Sequence, residues 1–69
     1  MDPVIRNIEK IMLEKGLKKK AVAQKAGLTP QQFSDMLNGR RVIKHSDIAF
    51  ICDALEVTPN DIYSIIKSA

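Results

Sequence analysis

The sequence predicts an all-α fold, a compact domain of five helices, and three observations carry that prediction. Apolar residues recur at spacings of three and four along nearly the whole chain, the period of a helix with one buried face. β-Branched residues nowhere alternate with polar ones as they would along a half-buried strand. Two segments, Leu28-Thr29-Pro30-Gln31-Gln32-Phe33 and Val57-Thr58-Pro59-Asn60-Asp61-Ile62, also share one helix-start grammar. Each has an apolar residue, a hydroxyl cap, a proline at the first helical position, and an amide or acid three residues after the cap.

Taken in order, Asp2 is placed to cap a first helix with Pro3 behind it. Val4, Ile5, Ile8, Ile11 and Met12 make its apolar stripe, and Gly16 ends it in a left-handed cap that Leu17 covers. A short second helix runs from Lys18 or Lys19 to Lys25, burying Val22, Ala23 and Ala26, with Gly27 supplying the positive φ of a tight turn. Three lysines crowd its start, where the helix dipole is already positive. That costs about 0.3–1 kcal/mol per charge unless an anion docks there. The third helix begins at Thr29, turns Phe33, Met36 and Leu37 to the core, and leaves Gln31, Asp35 and Asn38 on the opposite side, flanked by Gln32 and Ser34. Ile48, Ile51, Cys52 and Leu55 form the stripe of a fourth helix that starts between Lys44 and Ser46. The fifth begins at Thr58 and continues its apolar face through Ile62, Ile65 and Ile66.

A chain of 69 residues has room for one core, so residues 1–69 are expected to form a single domain. Hydrophobic residues at 45% and charged residues at 28% suit a folded soluble protein. The apolar run Ile48 to Cys52 is bounded by Asp47 and Asp53, which excludes a membrane span or signal core there and points to a cytoplasmic protein. The single cysteine, Cys52, falls on an apolar face and reads as a reduced core thiol. One histidine and no carboxylate cluster leave no metal set, and His45, Ser46 and Asp47, being consecutive, point in different directions and make no triad. An enzyme, a cofactor and a small-molecule ligand are therefore not expected.

The net charge of +3 conceals a strong asymmetry. From Lys15 to Lys44 there are eight basic residues against the single acid Asp35, and the rest of the chain holds three bases and seven acids. Such a lopsided distribution favours a polyanionic partner, with nucleic acid first.

The segment from Lys18 to Gly39 resembles the helix-turn-helix of the lambda-repressor-like DNA-binding family, also called Xre-type or Cro/CI-like. The matching marks are the small residue Ala23, Gly27 in the turn, Leu28, Phe33 and Met36, and the ending Asn38-Gly39-Arg40. Ala54-Leu55-Glu56-Val57-Thr58 is similar to the family's Ala-Leu-Gly-Val-Ser/Thr. The chain departs from the family pattern at Lys18 and Lys44, where a capping hydroxyl is usual, and at Glu56, which stands in place of glycine. The resemblance implies a helix-turn-helix at about residues 18–38 whose second helix, about 29–37, enters the major groove of double-stranded DNA while the first touches the backbone.

On that footing Gln31, Gln32, Asp35 and Thr29 are the candidate base contacts. A glutamine amide matches the N6 and N7 edge of adenine, and a carboxylate can accept from cytosine N4. Gln32 has a competing role in the helix cap, and Thr29 could meet a phosphate or a thymine methyl or serve only as the cap. Lys19, Arg40, Arg41 and Lys44 are the candidate phosphate contacts, supplying affinity without sequence choice. The resemblance further implies a homodimer joined near the C-terminal helix, with Tyr63, Ile66 and Ile62 as candidate contacts, Ile62 being alternatively wholly core. The expected function is that of a transcriptional regulator, repressor-like, on a palindromic operator. An antitoxin or anti-regulator that chiefly holds a protein partner is the alternative. Membrane binding is disfavoured, because the basic residues lie in loops and short helices with no long aromatic face.

Overall fold

The computed structural model describes residues 3–68, with side chains through Tyr63. It contains α1 (Pro3–Lys15), α2 (Lys19–Lys25), α3 (Pro30–Leu37), α4 (His45–Leu55) and α5 (Pro59–Ser68), and no strand among the described residues. Asp2, the expected cap of α1, lies outside them. The radius of gyration is 10.9 Å, close to the ~11 Å expected for a folded chain of this length.

All five helices contribute to one core. Ile8 of α1, Val22 of α2, Phe33 and Met36 of α3, Ile51 and Leu55 of α4, and Ile62 of α5 are its most deeply buried large side chains. α1 packs against α5 and α3, while α2 packs against both α3 and α4. Ala23, with no accessible surface, allows α2 these two close approaches. Helices of 7 and 8 residues, such as α2 and α3, are too short to persist alone in water, so this packing is what holds them.

The first four helices end in the same way. In each, a left-handed residue, the first past the end of α1 and α4 and the second past the end of α2 and α3, donates to a carbonyl three residues back, while the next N–H reaches back five, the Schellman pattern. Three use glycine, and α4 uses Glu56 at φ 58°. Lys15 compensates at that site: its Nζ donates to the carbonyls of Leu55 at 2.8 Å and Glu56 at 3.4 Å, placing a cation at the negative end of α4. A left-handed L-residue costs about 1–2 kcal/mol, whereas glycine there loses somewhat more chain entropy on folding. Glu56→Gly is therefore expected to stabilise the fold by about 0.5–1 kcal/mol, read as a higher urea midpoint with unchanged slope. An unchanged or lower midpoint would show that the Glu56 side chain outweighs its backbone strain.

The start of α4 lacks a side-chain cap, as Lys44 implied, while the start of α5 differs from the capping expected of it. Lys44, the N-cap of α4, has no side-chain acceptor to offer, and instead the Asp47 carboxylate takes the Lys44 backbone N–H at 2.9 Å. Before α5, the Asp61 carboxylate accepts both the N–H of Thr58 at 2.9 Å and its hydroxyl at 3.1 Å. The Thr58 hydroxyl is thus a donor here, unlike that of Thr29. Asn7, the buried polar side chain of the described core, donates from Nδ2 to the Ile62 carbonyl and ties α1 to α5.

Candidate nucleic-acid interface

The third helix is held at both ends by its own residues. Thr29 Oγ1 accepts the Gln32 N–H at 3.0 Å, Gln32 Oε1 accepts the Thr29 N–H at 3.0 Å, and Pro30 occupies the first turn, closing the capping box. At the other end Gly39, at φ 76°, lets the chain reverse so that the N–H groups of Arg40 and Arg41 both reach the Asp35 carbonyl, at 2.8 and 3.2 Å. A Cβ added to Gly39 would meet nothing within 4 Å, so the requirement there is for positive φ and not for space. The basic loop thereby leaves α3 in a defined direction.

Phe33, Met36 and Leu37 are buried, as their spacing predicts, and they turn the remaining side of α3 outward. Gln31 and Asn38 are exposed, while Gln32, Ser34 and Asp35 are half-buried. Gln31 Nε2 donates to Asp35 Oδ1 at 3.0 Å, one helical turn away. The two glutamines therefore differ in what they can still offer. Gln31 keeps Oε1 and one N–H, a donor–acceptor pair of the kind the adenine edge requires. Gln32 Oε1 already accepts the Thr29 N–H in the cap, so while the cap stays closed its two N–H groups are the freer part of the amide and suit an acceptor such as guanine N7, thymine O4 or a phosphate. Thr29 keeps its hydroxyl proton and its methyl group.

The candidate phosphate contacts are exposed and lie at the ends of elements: Lys19 opens α2, Arg40 and Arg41 follow α3, and Lys44 precedes α4. Lys18, Lys20 and Lys25 are exposed too, and Lys18 caps α2 without a side-chain hydrogen bond, with no acidic residue in the first turn of that helix. Lys15, though part of the basic segment, is engaged at the end of α4. Nothing in the local sequence reports that contact, which spans 40 residues.

The loop after α3 also forms one wall of an open groove with Val4 and Ile5 of α1, His45 and Ile48 of α4, and Tyr63 of α5. Tyr63 is 36% exposed there, whereas Ile62 is fully buried and belongs to the core, which removes it from the candidate contact surface. The side chain of Ile66 lies outside the described residues. Asn7, Lys15 and Asp47 are supporting residues that the residue pattern alone did not single out. Asn7 could have been found, since it falls between Val4 and Ile11 on the apolar stripe, and Asp47 stands three residues after the Lys44 cap.

Cys52 is buried and free, and desolvation, with the nearby Asp61 and Asp53 carboxylates, raises its thiol pKa, which favours the thiol over the thiolate. Among the described residues no three His, Cys, Asp or Glu side chains gather as metal ligands, and no helix is long and apolar enough to cross a membrane.

Two short helices joined by a tight turn, the second held at both ends with a polar face outward and cations at the flanking helix ends, define a helix-turn-helix DNA-binding module. The chain matches the family model of the Cro/C1-type HTH DNA-binding domain over residues 7–68, and it belongs to that family. It is a DNA-binding regulator of the helix-turn-helix class, acting on double-stranded DNA. Searches of curated proteins and of solved structures gave no match to this chain.

Proposed function

We propose that residues 1–69 act as a single-domain, sequence-specific, repressor-like transcriptional regulator in the cytoplasm, binding a palindromic operator as a homodimer. The observation that carries this reading is the outward side of α3, where Gln31 stands exposed with a free donor and acceptor on a helix anchored at both ends. In this reading Gln31 meets a base edge, with Thr29, Gln32 and Asp35 beside it. Lys19, Arg40, Arg41 and Lys44 hold the phosphates on either side. One eight-residue helix spans only a few base pairs, so a second copy, one duplex turn or about 34 Å away, supplies the rest of the specificity. Tyr63, half-exposed beside Val4 and the α3–α4 loop, is the described residue best placed for that pairing, and Ile66 stays a candidate from its position in α5.

Selection from random duplex DNA tests the proposal. Two inverted half-sites are expected, with two chains bound per selected duplex in equilibrium sedimentation. One chain per site at saturation would defeat the homodimer. Gln31→Ala should relax the preference at one base pair of each half-site by about 1–3 kcal/mol and leave the other pairs unchanged. An antitoxin or anti-regulator role draws on Leu13 of α1, Val42 in the α3–α4 loop and Phe50 of α4, which are exposed. Co-purification of a stoichiometric protein partner would favour it over the first reading.

A further inference from the structure

We propose that Asp35 is a positioning residue for Gln31, setting which way the Gln31 amide faces the bases, rather than a base contact of its own; this rests on the DNA-reading role of α3 proposed above. A primary amide is a symmetric plate with unlike ends. Free in water, it can present its oxygen and its N–H groups in either order, and only one order suits a given base edge. In this chain the choice is made by chemistry. An ionised carboxylate has only acceptors, so the group facing Asp35 Oδ1 at 3.0 Å must be the Gln31 NH₂ and never its oxygen. One N–H is thereby spent, and Oε1 and the second N–H face outward from an exposed side chain in one fixed order.

Three features make Asp35 suited to that task and poorly suited to reading a base. It is half-buried, whereas Gln31, one turn nearer the helix start, is exposed. One of its oxygens is already committed to Gln31. Its backbone carbonyl accepts the N–H groups of both Arg40 and Arg41, so the backbone carrying the carboxylate is fixed by the turn that follows α3. The charge also has a consequence of its own. A carboxylate near the groove repels phosphate, so Asp35 lowers affinity for every duplex while sharpening the choice among them.

The test uses the whole chain and the duplex selected by the wild-type protein, with each base pair exchanged in turn. Wild type, Gln31→Ala, Asp35→Asn, Asp35→Ala and the Gln31→Ala/Asp35→Ala double variant are compared at fixed salt. Asparagine keeps the shape of Asp35, but it can accept or donate, so the Gln31 amide becomes free to face either way. Wild type should discriminate at the Gln31 base pair on the order of tenfold. Asp35→Asn and Asp35→Ala should reduce that to about twofold or less at the same base pair, raise affinity for random duplex, and leave the unfolding midpoint unchanged. The double variant should lose no more discrimination than Gln31→Ala alone, since the two residues act as one unit.

If the Asp35 variants instead abolish preference at a different base pair, Asp35 reads that base itself and the proposal is overturned. It is equally overturned if they leave every position as in wild type, or if preference falls at all positions together with the unfolding midpoint. A wild-type chain that prefers no duplex at all would remove the underlying reading of α3, an outcome distinct from each of these.

Discussion

Phe33→Ala is expected to remove most of the stability of the fold and, with it, detectable sequence preference. Phe33 has no accessible surface and lies among buried residues drawn from all five helices. Truncating a buried phenylalanine costs about 3–5 kcal/mol, through forfeited transfer energy and the cavity left behind. A core of this size seldom supplies more than about 3–5 kcal/mol in total, so the variant should be largely unfolded at room temperature, read as an absent or strongly shifted urea transition. Function fails for the same reason. Phe33 anchors α3, an eight-residue helix that cannot persist alone, and without it the outward order of Gln31 and Asp35 has no support. A variant that melts within about 1 kcal/mol of the parent would contradict the central place given to Phe33.

The triple replacement of Arg40, Arg41 and Lys44 by alanine should lower affinity for all duplexes alike while leaving the order of preference among them intact. Removing a cation that neutralises one phosphate reduces the slope of log K against log salt by about 0.9, so the slope should fall by about 2–3 units. The fold should survive. All three side chains are exposed, and the structural roles at these positions belong to backbone groups: the N–H groups of Arg40 and Arg41 bond to the Asp35 carbonyl, and that of Lys44 bonds to Asp47. Alanine keeps each of those N–H groups. If the triple variant altered the base preference but not the salt slope, the assignment of affinity to the loop and choice to α3 would be reversed.

These two variants separate what holds α3 from the residues proposed to hold the DNA, and they mark how far the sequence could be read. The buried apolar positions of α1 to α4, the capping box of Thr29 and Gln32, and the left-handed residues at Gly16 and Gly27 were all legible, because each depends on residues within one or two turns, while the α5 positions Ile65 and Ile66 lie outside the described side chains. The family was legible on the same ground, since its marks at Ala23, Gly27 and Asn38-Gly39-Arg40 are local, and the family match over residues 7–68 agrees. The candidate site was legible only as a set of residue names. Its place three residues after Thr29 marked Gln32 for the cap, but that Gln31 is exposed and bonded to a half-buried Asp35 was not written in either residue's type.

By itself the sequence determined the helices, their buried faces and the concentration of positive charge between Lys15 and Lys44, because periodicity, capping and charge are properties of neighbours along the chain. The tertiary structure alone decided that Lys15 closes the end of α4, that Asn7 joins α1 to α5, and that Ile62 faces inward. Each of those depends on a partner in a distant element, and the energy of such an interaction exists only once packing has brought the two together.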